Sequence, residues 1–374
     1  MSSSQILHLP TTYKGLLFSS PSDEPTVASL PSPELERGLV IIRPLYCWIF
    51  NYAVDIYSRG NPRGYNIKFP LIGGINAIGR VAAVPSDARS LEVGDLVTVE
   101  PVVKARDGAY MSGTVSLGST SHGTWAELVM VPLENALRID EVALKRLHLS
   151  IRDIAFYPQL AVAYGGFRDV GLTTGETVLI SPATGNFGGA GVHVALAMGA
   201  RVIAMGRNLE ILAELKALAP GRVETIMMSG NLEMDLAAIT AHGTIDVFQD
   251  FTPPMATNFA HIHAGILSLR IGGRIGFMGN VKDLEIPYST IVFRGLSIRG
   301  TLMYTRDQAL ELIKMIETGA LRLGPEAGLK TKGVFKLGKG LDALKFANRE
   351  AGAGRAVFFA PNPEYLPDAE KIID

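Results

Sequence analysis

The chain has 374 residues, 47% of them hydrophobic and 19% charged, with 40 glycines and a formal net charge of −1. That composition suits a globular protein of two domains and excludes a disordered chain, and the balanced charge without a long basic run speaks against nucleic-acid binding. Cys47 is the only cysteine, which excludes an intrachain disulfide and a cysteine-rich zinc site.

The first ten residues lack the basic start and apolar core of a signal peptide. Apolar runs such as 39–50 are broken by Arg43 and Pro44, so no membrane-spanning helix is expected. The expectation is a cytoplasmic protein with no membrane partner. From about 35 to 135 the pattern is one of strands and turns, with β-rich runs at 38–43, 78–84, 96–99 and 124–131 and turn material at 59–64. Tyr46, Trp48, Phe50, Tyr52 and Tyr57 crowd one segment. Alternation at 46, 48, 50 and 52 predicts one set on a single face of an extended chain, either a pocket wall for a bulky apolar or aromatic substrate or a packed core strand.

Between about 160 and 302, apolar strands alternate with helical segments. Six strands at 178–181, 202–205, 225–228, 245–249, 274–278 and 296–301, with helical crossovers, predict a doubly wound parallel sheet. A helix at 307–318 then leads to a β-like return ending at 354–359. These patterns place a β-rich domain at 1–159 and 303–374 and a nucleotide-binding domain at 160–302, with the active site in the cleft between them.

The most informative stretch is residues 176–208. An apolar run at 177–180 leads into Ala183-Thr184-Gly185-Asn186-Phe187-Gly188, a G-x-G-x-x-G pattern with alanine in the first place. Gly185 would let the backbone approach a pyrophosphate, Gly188 would let the helix pack on the strand, and the helix N-terminus would face the phosphates. Gly199 is placed to end that helix. Glycine turns also occur for structural reasons alone, but here the required strand and helix flank the pattern. At the end of the second strand, where an NAD site usually carries an acid, stand Gly206, Arg207 and Asn208, with no carboxylate before Glu210. A glycine removes the repulsion of a 2′-phosphate and Arg207 offers a fork of donors, so NADPH is preferred; a solvated surface arginine is the plain alternative.

Residues 70–81, 94–97, 123–129, 183–188, 272–279, 300–304 and 354–359 also stand in the order of a known superfamily. The chain resembles the medium-chain dehydrogenases/reductases, which include alcohol dehydrogenases, quinone reductases and enoyl reductases, over nearly its whole length. The resemblance implies an α/β protein with a GroES-like β-rich catalytic domain and a Rossmann domain with a doubly wound parallel sheet. It also implies the zinc-independent branch. The first metal-ligand position falls on Tyr52, three residues before Asp55, and the histidine and glutamate of the family's Gly-His-Glu motif fall on Ile75 and Asn76 after Gly74. A further ligand would fall near Pro158. Tyr52 and Ile75 are not usual zinc ligands and Pro158 cannot be one, so no metal is expected.

Without zinc, the expected reaction is reduction of an activated double bond, of the α,β-unsaturated carbonyl or quinone type, by hydride from NADPH. Alternatives are a ketone or imine reductase, a redox-neutral pathway enzyme of the same fold, or a non-catalytic NADPH-binding sensor. By resemblance Tyr52 is the first choice of donor at the reacting oxygen, and it could equally be an aromatic residue that packs. Asn51 competes with it, because zinc-independent relatives often carry Asn-x-x-Asp where this chain has Asn51-Tyr-Ala-Val-Asp55. Gly279, Asn280 and Thr301 would border the nicotinamide. His122 and His193 have no assigned role, and His261 with His263 would face different sides of a helix. The aromatic segment at 46–57 points to a small apolar or aromatic substrate, and the resemblance extends to fungal proteins of secondary metabolism. It also implies a homodimer through the edge strand of the Rossmann sheet, near 284–293 and 296–300, with a monomer as the alternative.

Overall fold

The computed structural model describes residues 5–6, 9–104, 115–366 and 372–373. Two compact units result: residues 1–158, 330–351 and 355–374 form one, and residues 159–329 with 352–354 form the other. Residues 303–329, expected with the β-rich domain, thus cluster with the second unit. The helix Arg306–Glu317 explains this: Tyr164 Oη donates to Glu311 at 2.8 Å and Gln308 Nε2 to Asp169 at 2.8 Å, both on the helix that precedes the parallel sheet.

The first unit is built on a sheet whose main path runs Ala136–Arg138, Leu96–Val99, Ala77–Val84, Leu39–Trp48, Arg355–Phe359 and Lys330–Phe335. Neighbours are antiparallel except the last pair. Leu39–Trp48 lies in the middle of that path and is buried on both faces, which is why its sequence is a nearly continuous apolar run. This corrects the expected extended face at 46, 48, 50 and 52: the strand stops at Trp48, and Phe50 and Tyr52 lie beyond it at the approach to the helix Ala53–Ser58. Tyr46, Trp48 and Tyr57 belong to the core, where Tyr57 packs on Trp125 at 5.3 Å and donates to the Gly118 carbonyl at 2.6 Å. The β-rich run at 124–131 shrinks to a strand at Val129–Pro132, because the Trp125 backbone instead exchanges hydrogen bonds with Leu16 and Gly73.

The second unit holds a six-stranded, all-parallel sheet. Its strands, numbered within this unit, are β1 Thr177–Ser181, β2 Arg201–Gly206, β3 Val223–Met227, β4 Ile245–Asp250, β5 Leu269–Phe277 and β6 Ser297–Gly300. Their spatial order is 3-2-1-4-5-6, the order of a doubly wound nucleotide-binding sheet. The helices that cross between successive strands are α1 Asn186–Ala197, α2 Leu209–Ala217, α3 Leu232–Thr240, α4 Ala260–Ser268 and α5 Tyr288–Arg294. Leu179, Ile203, Phe248, Ile262 and Ile275 join one buried cluster. The segment at 284–293, expected as part of an edge strand, ends instead in the helix α5, none of whose residues is buried. Gly199 closes α1 with a left-handed backbone, φ +87°. Among the described residues no helix is long and apolar enough to cross a membrane.

Candidate functional site

Strands β1 and β4 lie side by side in the sheet, and the chain leaves β1 for β2 on one side and reaches β4 from β3 on the other. That is the topological switch point, where open α/β sheets bind ligands beyond the carboxyl ends of their strands. The 183–188 turn stands there. The Ala183 N–H donates to the Met205 carbonyl at 2.7 Å, tying the turn to β2. Gly185 caps α1 with an extended backbone, and a Cβ at this position would meet nothing within 4 Å, so the space above the turn is open. At Gly188 a Cβ would collide with the Pro182 carbonyl, so only glycine allows α1 to approach β1 this closely. Asn186 and Phe187 form the first turn of α1, whose N–H groups and dipole end suit a pyrophosphate. Thr184 flanks them and explains the missing acid: a side chain at Gly206 would meet Thr184 Cγ2 at 2.5 Å and Oγ1 at 2.9 Å. The next side chain, Arg207, is exposed just beyond β2. Together the open turn and the helix end fit a dinucleotide.

Other expected contacts have a structural occupation. Asn208 caps α2, its Oδ1 accepting from the Ile211 N–H at 3.1 Å. Thr301 donates its hydroxyl to Asp169 at 2.9 Å and its N–H to Phe277 O at 3.0 Å. Asn280 is exposed and its N–H is held by the Thr252 carbonyl at 3.0 Å. Gly279 packs so tightly that a Cβ would run into the Asp250 carboxylate.

Asp250 opens a buried polar chain that sequence reading missed. It ends β4, and its Oδ1 accepts from the Thr252 N–H at 3.1 Å and from the Thr252 hydroxyl. Thr252 Oγ1 in turn lies 2.8 Å from His261 Nε2 on α4. Burial pushes the Asp250 carboxyl up to about 6, against its hydrogen bonds from Thr252 and Gly279. Burial holds His261 down at about 4, helped by the charges of Arg207 and His263 and opposed by Asp235. His263 points elsewhere: it is not buried, and its Nε2 lies 2.7 Å from the Glu285 carbonyl, so the two histidines make no pair. A spacing of nine residues between Thr252 and His261 carries no recognisable signal. Buried His193 is also held down at about 4, and His122 Nδ1 accepts from the Ile72 N–H at 3.0 Å.

In the first unit, Asn51 and Tyr52 link the strand Leu39–Trp48 to the helix Ala53–Ser58, with Tyr52 at the helix N-cap. The Asn51 carbonyl accepts from Asn348 Nδ2 at 2.7 Å. The Tyr52 ring is clamped. Phe50 lies 4.6 Å away, Tyr65 is parallel at 6.2 Å and the Arg63 guanidinium covers one face at 4.4 Å. Burial, and next the Tyr65 hydroxyl, push the Tyr52 phenol well above its ordinary value, with Arg63 opposing. Tyr52 therefore stays protonated at neutral pH and keeps a hydrogen to donate. Asn76 is 2% exposed; Thr124 Oγ1 donates to its backbone carbonyl at 2.7 Å, and its side-chain Oδ1 has no partner among the described residues. Ile75 precedes it and Pro158 lies in the first turn of the helix Tyr157–Asp169, and neither side chain offers a thiolate, imidazole or carboxylate. Among the described residues no three His, Cys, Asp or Glu side chains gather as a metal site would require.

Comparison with known proteins gives the same architecture. Residues 36–141 match the alcohol dehydrogenase GroES-like domain family, and residues 187–318 match the zinc-binding dehydrogenase family. The L-threonine 3-dehydrogenase of Vibrio parahaemolyticus is 25% identical over 315 residues, covering 81% of this chain and 87% of that protein. Among solved structures, the short chain alcohol dehydrogenase rspB of E. coli CFT073, complexed with NADH, superposes with a TM-score of 0.77 at 20% identity, covering 94% of this chain and all of that one. A protein of Sinorhizobium meliloti 1021 solved with NADP bound gives 0.76 at 19% identity, with 94% and 100% covered. With both of its domain families matched in order and the doubly wound sheet in place, the chain belongs to the medium-chain dehydrogenase/reductase superfamily of oxidoreductases.

Proposed function

We propose that this protein is an NADPH-dependent reductase that works without catalytic zinc and reduces an activated double bond, of the α,β-unsaturated carbonyl or quinone type, in a small apolar or aromatic molecule. The observation that carries this reading is the clamped Tyr52, standing with Ile75, Asn76 and Pro158 where zinc ligands would be expected. A simple alcohol needs strong stabilisation of its developing alkoxide, the work a metal does well. An enolate spreads its charge and needs only hydrogen-bond donors at its oxygen.

When bound, the reduced nicotinamide supplies the hydride. The chain's own residues do the rest. The turn of Ala183, Thr184, Gly185, Asn186, Phe187 and Gly188 holds the pyrophosphate, and Arg207 beside Gly206 holds the 2′-phosphate. Asn208, Gly279, Asn280 and Thr301 shape the surrounding backbone. Tyr52 donates its hydroxyl hydrogen to the oxygen on which negative charge gathers, its ring fixed by Arg63, Phe50 and Tyr65. Asn51 is the second candidate donor. A carbonyl would accept from Tyr52 just as an enolate oxygen does, and the likeness to a threonine dehydrogenase supports this second reading, reduction of a ketone.

The test is NADPH consumption across enones, quinones and ketones, with metal analysis of the same sample. Turnover of enones or quinones without bound metal is expected. One zinc per chain would sink the mechanism, and tight NADPH binding without any turnover would leave a non-catalytic sensor. Assembly as a homodimer fits the sheet edge: β6 is exposed along its length, and next to it on α5 Tyr288 is 75% and Phe293 86% exposed. Phe293→Glu should convert the species seen by analytical ultracentrifugation to monomer; an unchanged mass would rule that face out.

A further inference from the structure

Asp250 is the last residue of β4 and stands level with Ser181, the last residue of β1, at the switch point of the sheet. The Phe251 N–H donates to the Ser181 carbonyl at 3.0 Å, so the chain leaving β4 starts against the strand that leads into the 183–188 turn. Ligands of such sheets lie in the crevice beyond these strand ends. The Asp250 carboxylate there is 2% exposed, and among the described residues no lysine or arginine pairs with it. A buried carboxylate without a cation has to be held by hydrogen bonds.

Those bonds tie two loops together. Oδ1 takes the Thr252 N–H at 3.1 Å and the Thr252 hydroxyl. Oδ2 lies against Gly279, where a Cβ would strike both that oxygen and the Thr252 backbone, and the Gly279 N–H also donates to the carboxylate. The two backbones add their own bonds: the Met278 N–H donates to the Asp250 carbonyl at 3.1 Å and the Asn280 N–H to the Thr252 carbonyl at 3.0 Å. Every group that meets the carboxylate oxygens is a donor, so the ionised form is satisfied and an acid hydrogen would be set against one of them. Burial nevertheless pushes the carboxyl up to about 6. Of the titratable groups on the elements packed around it, none shares that range at close quarters. On α4, His261 meets it through Thr252 Oγ1 and burial holds that ring at about 4, while His263 lies on the Glu285 carbonyl. On β4 and β5, Asp246 pairs with Arg270 and Arg274 with Glu176, all toward the amino end of the sheet, and β1 carries no titratable group.

We propose that Asp250 is a positioning residue for the dinucleotide: its ionised carboxylate sets the loops leaving β4 and β5 as one edge of the crevice, and its protonation releases that edge. The inference rests on the dinucleotide reading of this site. Asp250 acts through the backbones of Thr252 and Gly279 and needs no contact with the nucleotide. Below pH 6 a proton from solvent occupies the carboxyl and one of the three donors loses its acceptor. Binding selects the ionised form, so it returns that proton to solvent, and affinity is full above pH 6 and lost as the pH falls through it.

The experiment measures the dissociation constant of NADH by fluorescence titration from pH 7.5 to 5.5, for the full chain and for Asp250→Asn. NADH is the probe because it lacks the 2′-phosphate, which itself titrates near pH 6. Asparagine keeps an acceptor for Thr252 but turns an NH2 group toward Gly279. The unaltered protein should bind NADH about fourfold more weakly at pH 5.5 than at pH 7.5, the ionised share left to an acid titrating at about 6. Asp250→Asn should bind about tenfold more weakly at pH 7.5, the loss of one charge-assisted hydrogen bond, and no more weakly at pH 5.5. A parallel fall in both proteins, no fall in either, or a variant that binds as tightly as the unaltered protein at pH 7.5 overturns the inference. Should the variant not fold, calorimetry of the unaltered protein at pH 6, in buffers of different ionisation enthalpy, reads the proton directly. Release of about half a proton per NADH supports the proposal, and no release overturns it. Binding of neither NADH nor NADPH at any pH would sink the dinucleotide reading as well, a result distinct from binding that ignores pH.

Discussion

The turn at 183–188 and the segment at 51–65 are held in shape by different forces. In the turn, backbone meets backbone: the Ala183 N–H is fixed by β2, and Gly188 lies against the Pro182 carbonyl with no room for a Cβ. In the second segment side chains hold one another. Phe50, Arg63 and Tyr65 enclose Tyr52, and Asp55 lies 3.3 Å from Arg59 and 3.6 Å from Arg63. Part of that cluster is in water, since Tyr65 is exposed. A backbone-built site tolerates few residues and presents one geometry. A side-chain-built site tolerates many substitutions, and its geometry depends on several partners at once.

The largest expected effect breaks the rigid member of the pair. Gly188→Val drives two methyl groups against the Pro182 carbonyl and should cost about 3 kcal/mol in denaturant unfolding, with dinucleotide binding lost. Gly185→Ala, three residues earlier, meets open space and should leave stability within about 1 kcal/mol of the unaltered protein. Equal costs at the two positions would refute the claim that packing, not the ligand, selects Gly188. Next comes the flexible member. Tyr52→Phe keeps the stack on Tyr65 and Arg63 but removes the hydroxyl, and kcat on an accepted enone should fall about 100-fold with NADPH affinity unchanged. An unaltered kcat would return Tyr52 to a packing role and direct attention to Asn51.

The same contrast explains what the sequence made legible. The six strands, their parallel order and the α1 turn follow from apolar periodicity and from glycines whose spacing has one physical purpose. The edge at 284–293 was misread as strand because Ile286, Ile291, Val292 and Phe293 are β-formers; Ile286 lies in the loop before α5 and the other three on that helix, which buries no residue, so burial does not impose a period. The aromatic run at 46–52 was misread because alternation cannot say where a strand stops, and this one ends at Trp48. The Asp250–Thr252–His261 chain was invisible because its members come from the end of a strand, a loop and a helix, and only the fold brings them together. Asn208 and Thr301 carry donors and acceptors suited to a ligand, yet capping and the contact with Asp169 occupy them.

Arg207 tests the turn at intermediate strength. Its side chain is exposed just past β2, and Gly206 beside it cannot be exchanged for an acid without striking Thr184. Arg207→Ala should weaken NADPH by about tenfold and leave NADH unchanged, the size of one charge-assisted hydrogen bond. Equal losses for both nucleotides would mean that Arg207 supports the fold of the site and does not read the phosphate.

The smallest effect is expected at Arg63, and it separates the two ways of holding Tyr52. The guanidinium lies 4.4 Å from the ring centroid, a stacking worth about 0.5 kcal/mol at a partly exposed position. Its charge also favours the ionised phenol, opposing the burial that keeps Tyr52 protonated. Arg63→Gln removes both, so stability should drop by about 0.5 kcal/mol and the phenol should titrate still higher. Arg63→Lys keeps the charge but not the planar stack. If stacking positions the hydroxyl, both variants should lower kcat by about threefold, the kinetic equivalent of roughly 0.6 kcal/mol. If charge matters more, Lys should restore the rate and Gln should not. Identical rates in all three proteins would mean that Phe50 and Tyr65 alone hold the ring, and the segment would then be as over-determined as the turn.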